Sequence, residues 1–295
     1  MENATSARPE NTFALVIGIA NYENDRLNLN FSNRDATIFA EYLQSKAGGN
    51  IPGDNIRLLV DTTATTASIY NSLKWLKKKT ELNSIQNEKE KSLVYIYFSG
   101  HGDVETNTKA NLGFLLAYNT PPNNYINNAV RIEDLNDYAH TLSVDLNANV
   151  IIITDACHSG KLAGSGNKGS YLVGKELSVA KEREIRIASC NPDELSMEDI
   201  RWGEGRGVFS YYLVNGLKGM ADKNRDSIVT FNEIQQFVDS SIAVDAVLKE
   251  LKHKQTPVLK GNPSFRLASV NPEILLAIMP ATVQQQSGPA TIRFS

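Results

Sequence analysis

Two short stretches hold the residues best suited to covalent chemistry. YIYFSGHGD sets His101 just past a run of aromatic and β-branched residues, and IIITDACHSG sets Cys157 just past another. A thiol becomes an efficient nucleophile when a base takes its proton, and a histidine at a neighbouring strand end can be that base. His158 is the poorer partner for Cys157, because adjacent residues of an extended segment point to opposite sides. Gly100 and Gly102 flank His101, which would permit an unusual turn and leave backbone N–H groups open to a substrate carbonyl oxygen. Each stretch alone has a plainer reading: glycine ends strands, and a lone cysteine after an apolar run is most often buried packing. On consecutive strands of one sheet, the pair favours chemistry.

The elements that must position this pair alternate along the chain. TFALVIGIA (12–20) reads as a buried strand, and NRDATIFAEYLQSKAGG (33–49) as an amphipathic helix ending in a glycine pair suited to a C-cap. NIRLLVD (55–61) is a second strand, TASIYNSLKWLKKKT (66–80) a second helix, and SLVYIYF (92–98) a third strand. LGFLLAY (112–118) suits a small hairpin, RIEDLNDYAHTL (131–142) a short helix and NVIIITD (149–155) the fourth strand. Residues 159–182, rich in Gly, Ser and Lys, read as a long flexible loop. REIRIASC (183–190) is the fifth strand, GVFSYYLVNGLKGM (207–220) and FNEIQQFVDSSIAVDAVLKEL (231–251) are helices, and QTPVLKG (255–261) is a last short strand. This alternation predicts an α/β fold, a three-layer sandwich with a six-stranded, mostly parallel sheet and helices on both faces. In such sheets reactive groups gather beyond the carboxyl ends of the strands, where His101 and Cys157 fall. One domain is expected over 12–270, between a disordered N-terminus (1–11) and a C-terminal tail or linker (271–295).

YFSGHGD followed by DACHSG, with FALVIGIANY near the start and GVFSYYLVNGLKG after the loop, resembles the caspase-like cysteine peptidases, in particular their metacaspase and bacterial branch. The likeness spans about residues 12–265. It implies the caspase-like fold, Cys157 as nucleophile and His101 as general base and acid, with the backbone N–H groups of Cys157 and Gly102 holding the oxyanion. The reaction implied is peptide hydrolysis through a thioester, with no required cofactor. The resemblance also implies that Asp35, Ser99 and Asp155 line the pocket for the residue before the cut. Two carboxylates can clamp a guanidinium through charge-assisted hydrogen bonds, so cleavage after Arg or Lys is expected, on a protein or peptide substrate. Arg34, beside Asp35, departs from the family's usual asparagine and would partly neutralise the acid. The plainer alternatives are a helix-start acid at Asp35 and a turn residue at Asp155. Lys161, Lys168, Lys175, Lys181 and Arg183 would suit the same pocket, making self-cleavage within 161–186 one reading of the loop and an ordinary solvated loop the other. Two alternatives to the leading function stand: a legumain-like or gingipain-like peptidase with another pocket, and a catalytically silent caspase-like module that binds a partner.

DKNRDSIVTFNE (222–233) offers Asp222, Asn224, Asp226, Thr230 and Glu233, with the carbonyl of Ile228, at the spacing of an EF-hand loop. Calcium is therefore a possible cofactor, against a polar helix connection. Ser227 takes the position usually held by glycine and would need a costly left-handed conformation. Glu198, Asp199 and Trp202 would shape outer subsites or else form a surface loop, and Cys190 reads as packing. The chain has 295 residues, 41% apolar, with a formal charge of −3, which argues against nucleic acid and anionic membranes as partners. Two cysteines are too few for a disulfide framework, and the polar start MENATSARPEN lacks the apolar core of a secretory signal, so a cytoplasmic monomer is expected.

Overall fold

Unbroken apolar runs along the strands dictate a sheet covered on both sides. A computed structural model of the chain describes residues 9–278 apart from 88–89, 106–111, 123, 159–174, 176, 178–182 and 192–193. In chain order the elements are β1 (Thr12–Gly18), α1 (Ser32–Gln44), β2 (Ile56–Val60), α2 (Thr66–Gln86), β3 (Leu93–Glu105), β4 (Leu112–Leu116), α3 (Tyr125–Asn128), β5 (Ala129–Arg131), α4 (Ile132–His140), β6 (Asn149–His158) and β7 (Glu184–Ala188). There follow β8 (Glu198–Asp199), β9 (Arg206–Gly207), α5 (Val208–Asn215), β10 (Ile228–Thr230), α6 (Phe231–Val244), α7 (Ala246–Glu250), β11 (Val258–Lys260), β12 (Arg266–Ser269) and α8 (Pro272–Ile278).

The main sheet runs β11-β7-β6-β3-β1-β2, parallel throughout except at β11, and β4 and β5 extend it from the far end of β3. Ala14, Val16, Tyr97, Ile151, Ile153 and Ile187 face one layer, with Phe39 and Leu43 of α1, Phe209 of α5 and Ile234 of α6. Leu15, Ile17, Ile96, Phe98, Val150 and Ile152 face the other, with Leu73 and Leu76 of α2 and Leu135 of α4. Each of the larger side chains contributes about 1.5–3 kcal/mol by leaving water, and successive residues of a strand serve opposite layers. The α/β three-layer architecture with a six-strand backbone is as expected.

Several boundaries differ from the sequence reading. The glycine pair does not cap α1: the helix stops at Gln44, and Ser45 accepts from Gly48 N–H to start a further short turn. The expected helix over 231–251 breaks at Asp245, whose carboxylate caps α7 through Leu248 N–H at 2.9 Å while also accepting from Trp202 Nε1 and Tyr212 Oη. Apolar spacing continues across this break and so conceals it. Residues 9–11 belong to the fold rather than to a disordered end: Asn11 is buried and donates to Glu90 at 2.7 Å. Residues 272–278 of the expected tail form α8, and Leu275 packs close to Gly219. No helix among the described residues is long and apolar enough to cross a membrane.

Candidate active site

His101 and Cys157 do not follow their strands, as the sequence suggested; they lie inside them. β3 continues to Glu105 and β6 to His158, and the register pairs Ser99 with Asp155, Gly100 with Ala156, His101 with Cys157, and Gly102 with His158. Backbone pairing does not require apolar side chains, so the ladder outruns the apolar run that revealed it. Parallel neighbours lie about 4.8 Å apart, which brings residues 101 and 157 side by side. Gly100 and Gly102 are thus strand residues, not a turn, and Gly102 has register partners on both sides, Leu115 and His158.

The loop after β1 orients the histidine. Leu29 N–H donates to Ala20 O at 2.8 Å and Tyr22 N–H to Asn28 Oδ1 at 2.7 Å, folding residues 20–29 back on themselves beyond the carboxyl end of β1. Tyr22 Oη then accepts from His101 N–H at 2.9 Å, and the two rings lie 5.3 Å apart. His101 Nε2 is 2.8 Å from Leu27 O. A carbonyl oxygen can only accept, so Nε2 must carry a proton, which makes Nδ1 the basic nitrogen of the neutral ring. Asp103, two residues on, is fully buried and accepts from Tyr125 Oη at 2.8 Å. Burial pushes its carboxyl above the usual range, with Tyr125, Val104 N–H and nearby His101 opposing. Its adjacency in SGHGD was the available signal for this acid.

Asp35, Ser99 and Asp155 are brought together beneath the strand ends. The first turn of α1 rides directly on β1 at Gly18, where a Cβ would stand 2.4 Å from Ala36 Cβ and 2.5 Å from Ser32 O. That approach carries Asp35 over the sheet. Gly207 separates the two acids: a Cβ there would lie 2.8 Å from Asp155 Oδ2 and 3.1 Å from Asp35 Oδ2. Asp155 accepts from Ser196 Oγ at 2.6 Å and from Ser210 Oγ at 2.7 Å. Since Ser210 spends its proton on Asp155, Tyr97 Oη donates to Ser210 Oγ, 2.7 Å away. Burial raises the Asp155 carboxyl, against these hydroxyl hydrogen bonds.

Arg34 does not neutralise Asp35. It reaches outward to Glu204 O at 2.7 Å and Gly203 O at 3.2 Å. The cation beside Asp35 is Arg206, whose Nε donates to Oδ1 at 2.7 Å, while Gly207 N–H donates to Oδ2 at 2.8 Å. Burial, reinforced by Asp155, raises Asp35 to about 7 although Arg206 pulls the other way. Sequence reasoning missed Arg206, because GEGRG reads only as a turn.

The remaining expected sites resolve as follows. Ser227 does adopt the left-handed conformation, at φ +65°. Asp222 accepts from Ser227 N–H, Asp226 from Ile228 N–H, and Glu233 forms a capping box with Thr230 at the start of α6. Among the described residues no three His, Cys, Asp or Glu side chains gather as a metal site. Glu198 accepts from Asn30 N–H and Phe31 N–H, Trp202 is buried with its Nε1 on Asp245, and Asp199 pairs with Arg201, so the first two fasten the loop to neighbouring segments and the third braces it. Cys190 is buried, as expected of packing, and its thiol donates to Glu194 O at 3.4 Å. Lys161, Lys168 and Lys181 lie outside the described residues; Lys175 is exposed; residues 184–186 are in buried β7 rather than in the loop.

A family model described as the caspase domain matches residues 11–267. No curated protein matches the chain. Among solved structures, caspase-1 from Spodoptera frugiperda aligns over 89% of this chain and 91% of its own, with a TM-score of 0.55 and 13% identity, which is a likeness of fold.

Proposed function

The chain belongs to the caspase domain family, and on that premise we propose that it is a cysteine endopeptidase that cuts after Arg or Lys. The observation that carries the reading is the pairing of His101 with Cys157 across β3 and β6, with Leu27 O fixing the histidine tautomer. Cys157 would pass its thiol proton to His101 Nδ1 and attack the scissile carbonyl carbon as thiolate. The oxyanion would be met by the N–H groups of Cys157 and Gly102, the latter once the Gly102–His158 register pair opens. The imidazolium then gives its proton to the leaving amine, and water, deprotonated by the same Nδ1, hydrolyses the thioester. Asp103 would favour the imidazolium by its charge when ionised.

The basic preference draws support from two acids beside one internal cation. An aspartate about 4 Å from an unpaired carboxylate would lose about 4 kcal/mol at an effective dielectric of 20, or about three decades in rate. The test compares fluorogenic peptides with Arg, Lys, Asp or Asn before the cut, with and without calcium, using Cys157→Ala as control. Cleavage after Arg and Lys that disappears in Cys157→Ala is expected. Cleavage only after Asn or Asp would overturn the specificity, and no cleavage of any peptide would favour the silent binding module. The same incubation, read by intact mass, tests self-cutting after Lys161, Lys168, Lys175, Lys181 or Arg183; a chain that stays whole while cutting peptides would exclude it.

A further inference from the structure

The acidic pocket already holds a guanidinium of the chain's own. Gly203, Glu204 and Gly205, all with positive φ, turn the chain back so that β9 pairs with β8 and Arg206 points inward. Arg206 is only 4% exposed and Asp35 only 1%. The Arg206–Gly207 dipeptide occupies both oxygens of Asp35, and Arg206 Nη2 donates to Ser210 O at 3.0 Å. Both oxygens of Asp155 accept from serine hydroxyls. A substrate's basic side chain therefore meets no uncommitted carboxylate until something moves.

We propose that Arg206 is a specificity-determining residue that competes with the substrate's basic side chain for Asp35, so that a substrate arginine enters by exchanging its guanidinium for that of Arg206. The inference rests on the basic-specificity reading above. Its physical basis is an exchange of like for like. Taking the cation away from a buried carboxylate is costly, but a substrate guanidinium returns the same planar donors while that of Arg206 regains hydration. A lysine ammonium returns the charge as a compact point without the planar fork, so the internal competitor penalises Lys more than Arg. Arg206 touches no atom assigned to the reaction, so its effect falls on binding. The segment that must yield is held at its tip by Arg34, whose own side chain is 41% exposed.

The test uses the full chain carrying Arg206→Gln or Arg206→Ala, with Arg and Lys peptides. The expected result is a KM for the Arg peptide lower by about tenfold with kcat within about twofold, the signature of a change in uniform binding, and a larger gain for the Lys peptide, so that Arg-over-Lys discrimination narrows. Low-millimolar guanidinium should inhibit Arg206→Ala competitively and leave the unsubstituted enzyme unaffected. A folded Arg206→Gln variant, checked by circular dichroism, with unchanged or raised KM would overturn the inference. If Arg206 variants do not fold, Arg34→Ala loosens the turn without unpairing Asp35 and should lower KM by about threefold; an unchanged KM there would overturn the inference as well. Failure of the underlying reading looks different: the unsubstituted enzyme would then cut only after non-basic residues, which overturns both.

Discussion

Two buried ion pairs of almost equal length do different work. On β7, Arg186 Nη2 lies 2.7 Å from Glu184 Oε2, two residues away on one strand. Beneath the ends of β3 and β6, Arg206 Nε lies 2.7 Å from Asp35 Oδ1, with most of the chain between them. The β7 pair is closed: Ser143 Oγ supplies Glu184 Oε1, and Asn136 Oδ1 accepts from Arg186 Nη1. One cation meets one anion, and no further charge is called for. At the site one arginine faces two acids, because Gly207 allows Asp155 to approach Asp35. Asp155 is one of the causes that raise Asp35. The β7 pair is complete in itself, whereas the carboxyl paired with Arg206 has a second acid beside it.

The largest expected break in this contrast is at β7. Arg186→Leu strands the Glu184 carboxylate in the core and should cost about 3–5 kcal/mol, lowering Tm by about 10 °C, while activity per folded molecule is kept. A loss under 1 kcal/mol in urea unfolding would mean that the β7 pair is not closed in the sense argued. Next comes the pH dependence at Asp35. Its folded pKa, about 7, lies above its ordinary 3.8, so the folded state holds a proton that the unfolded chain releases between these values. Its contribution to stability is whole below about pH 4, falls as pH rises toward 7 and is then flat, a loss of at most about 4 kcal/mol. Subtracting the Tm-against-pH curve of Asp35→Asn from that of the unsubstituted chain should reveal this fall; parallel curves would contradict it. The smallest effect belongs to the exposed pair of Arg34 and Glu204, 3.4 Å apart. Glu204→Gln should change stability by under about 0.5 kcal/mol, since Arg34 keeps its bonds to the backbone carbonyls. A change above 1 kcal/mol would place this tip with the closed pairs instead.

Much of the fold was legible because burial imposes a period. The runs at 92–98 and 149–155 announced β3 and β6, and the helical spacing of Phe39 and Leu43 announced α1. The antiparallel pairing of β10 with β12 was not legible, since strands of three and four residues carry too little pattern. Nor was the break at Asp245, where capping interrupts an unbroken apolar stripe. At the site, the types and order of His101, Cys157 and Asp155 were readable, whereas the Leu27 carbonyl that orients the histidine was not. A backbone acceptor leaves no mark in a side-chain alphabet.

By itself, then, the sequence determined which segments are buried strands and helices, that the sheet is mostly parallel, and which reactive side chains lie near the strand ends. These follow from local apolar runs, from helical spacing and from chemistry borne by single residues. Only the tertiary structure decided that Arg206, and not the adjacent Arg34, neutralises Asp35. Electrostatic pairing depends on distance and burial in space, and neither is ordered by position along the chain.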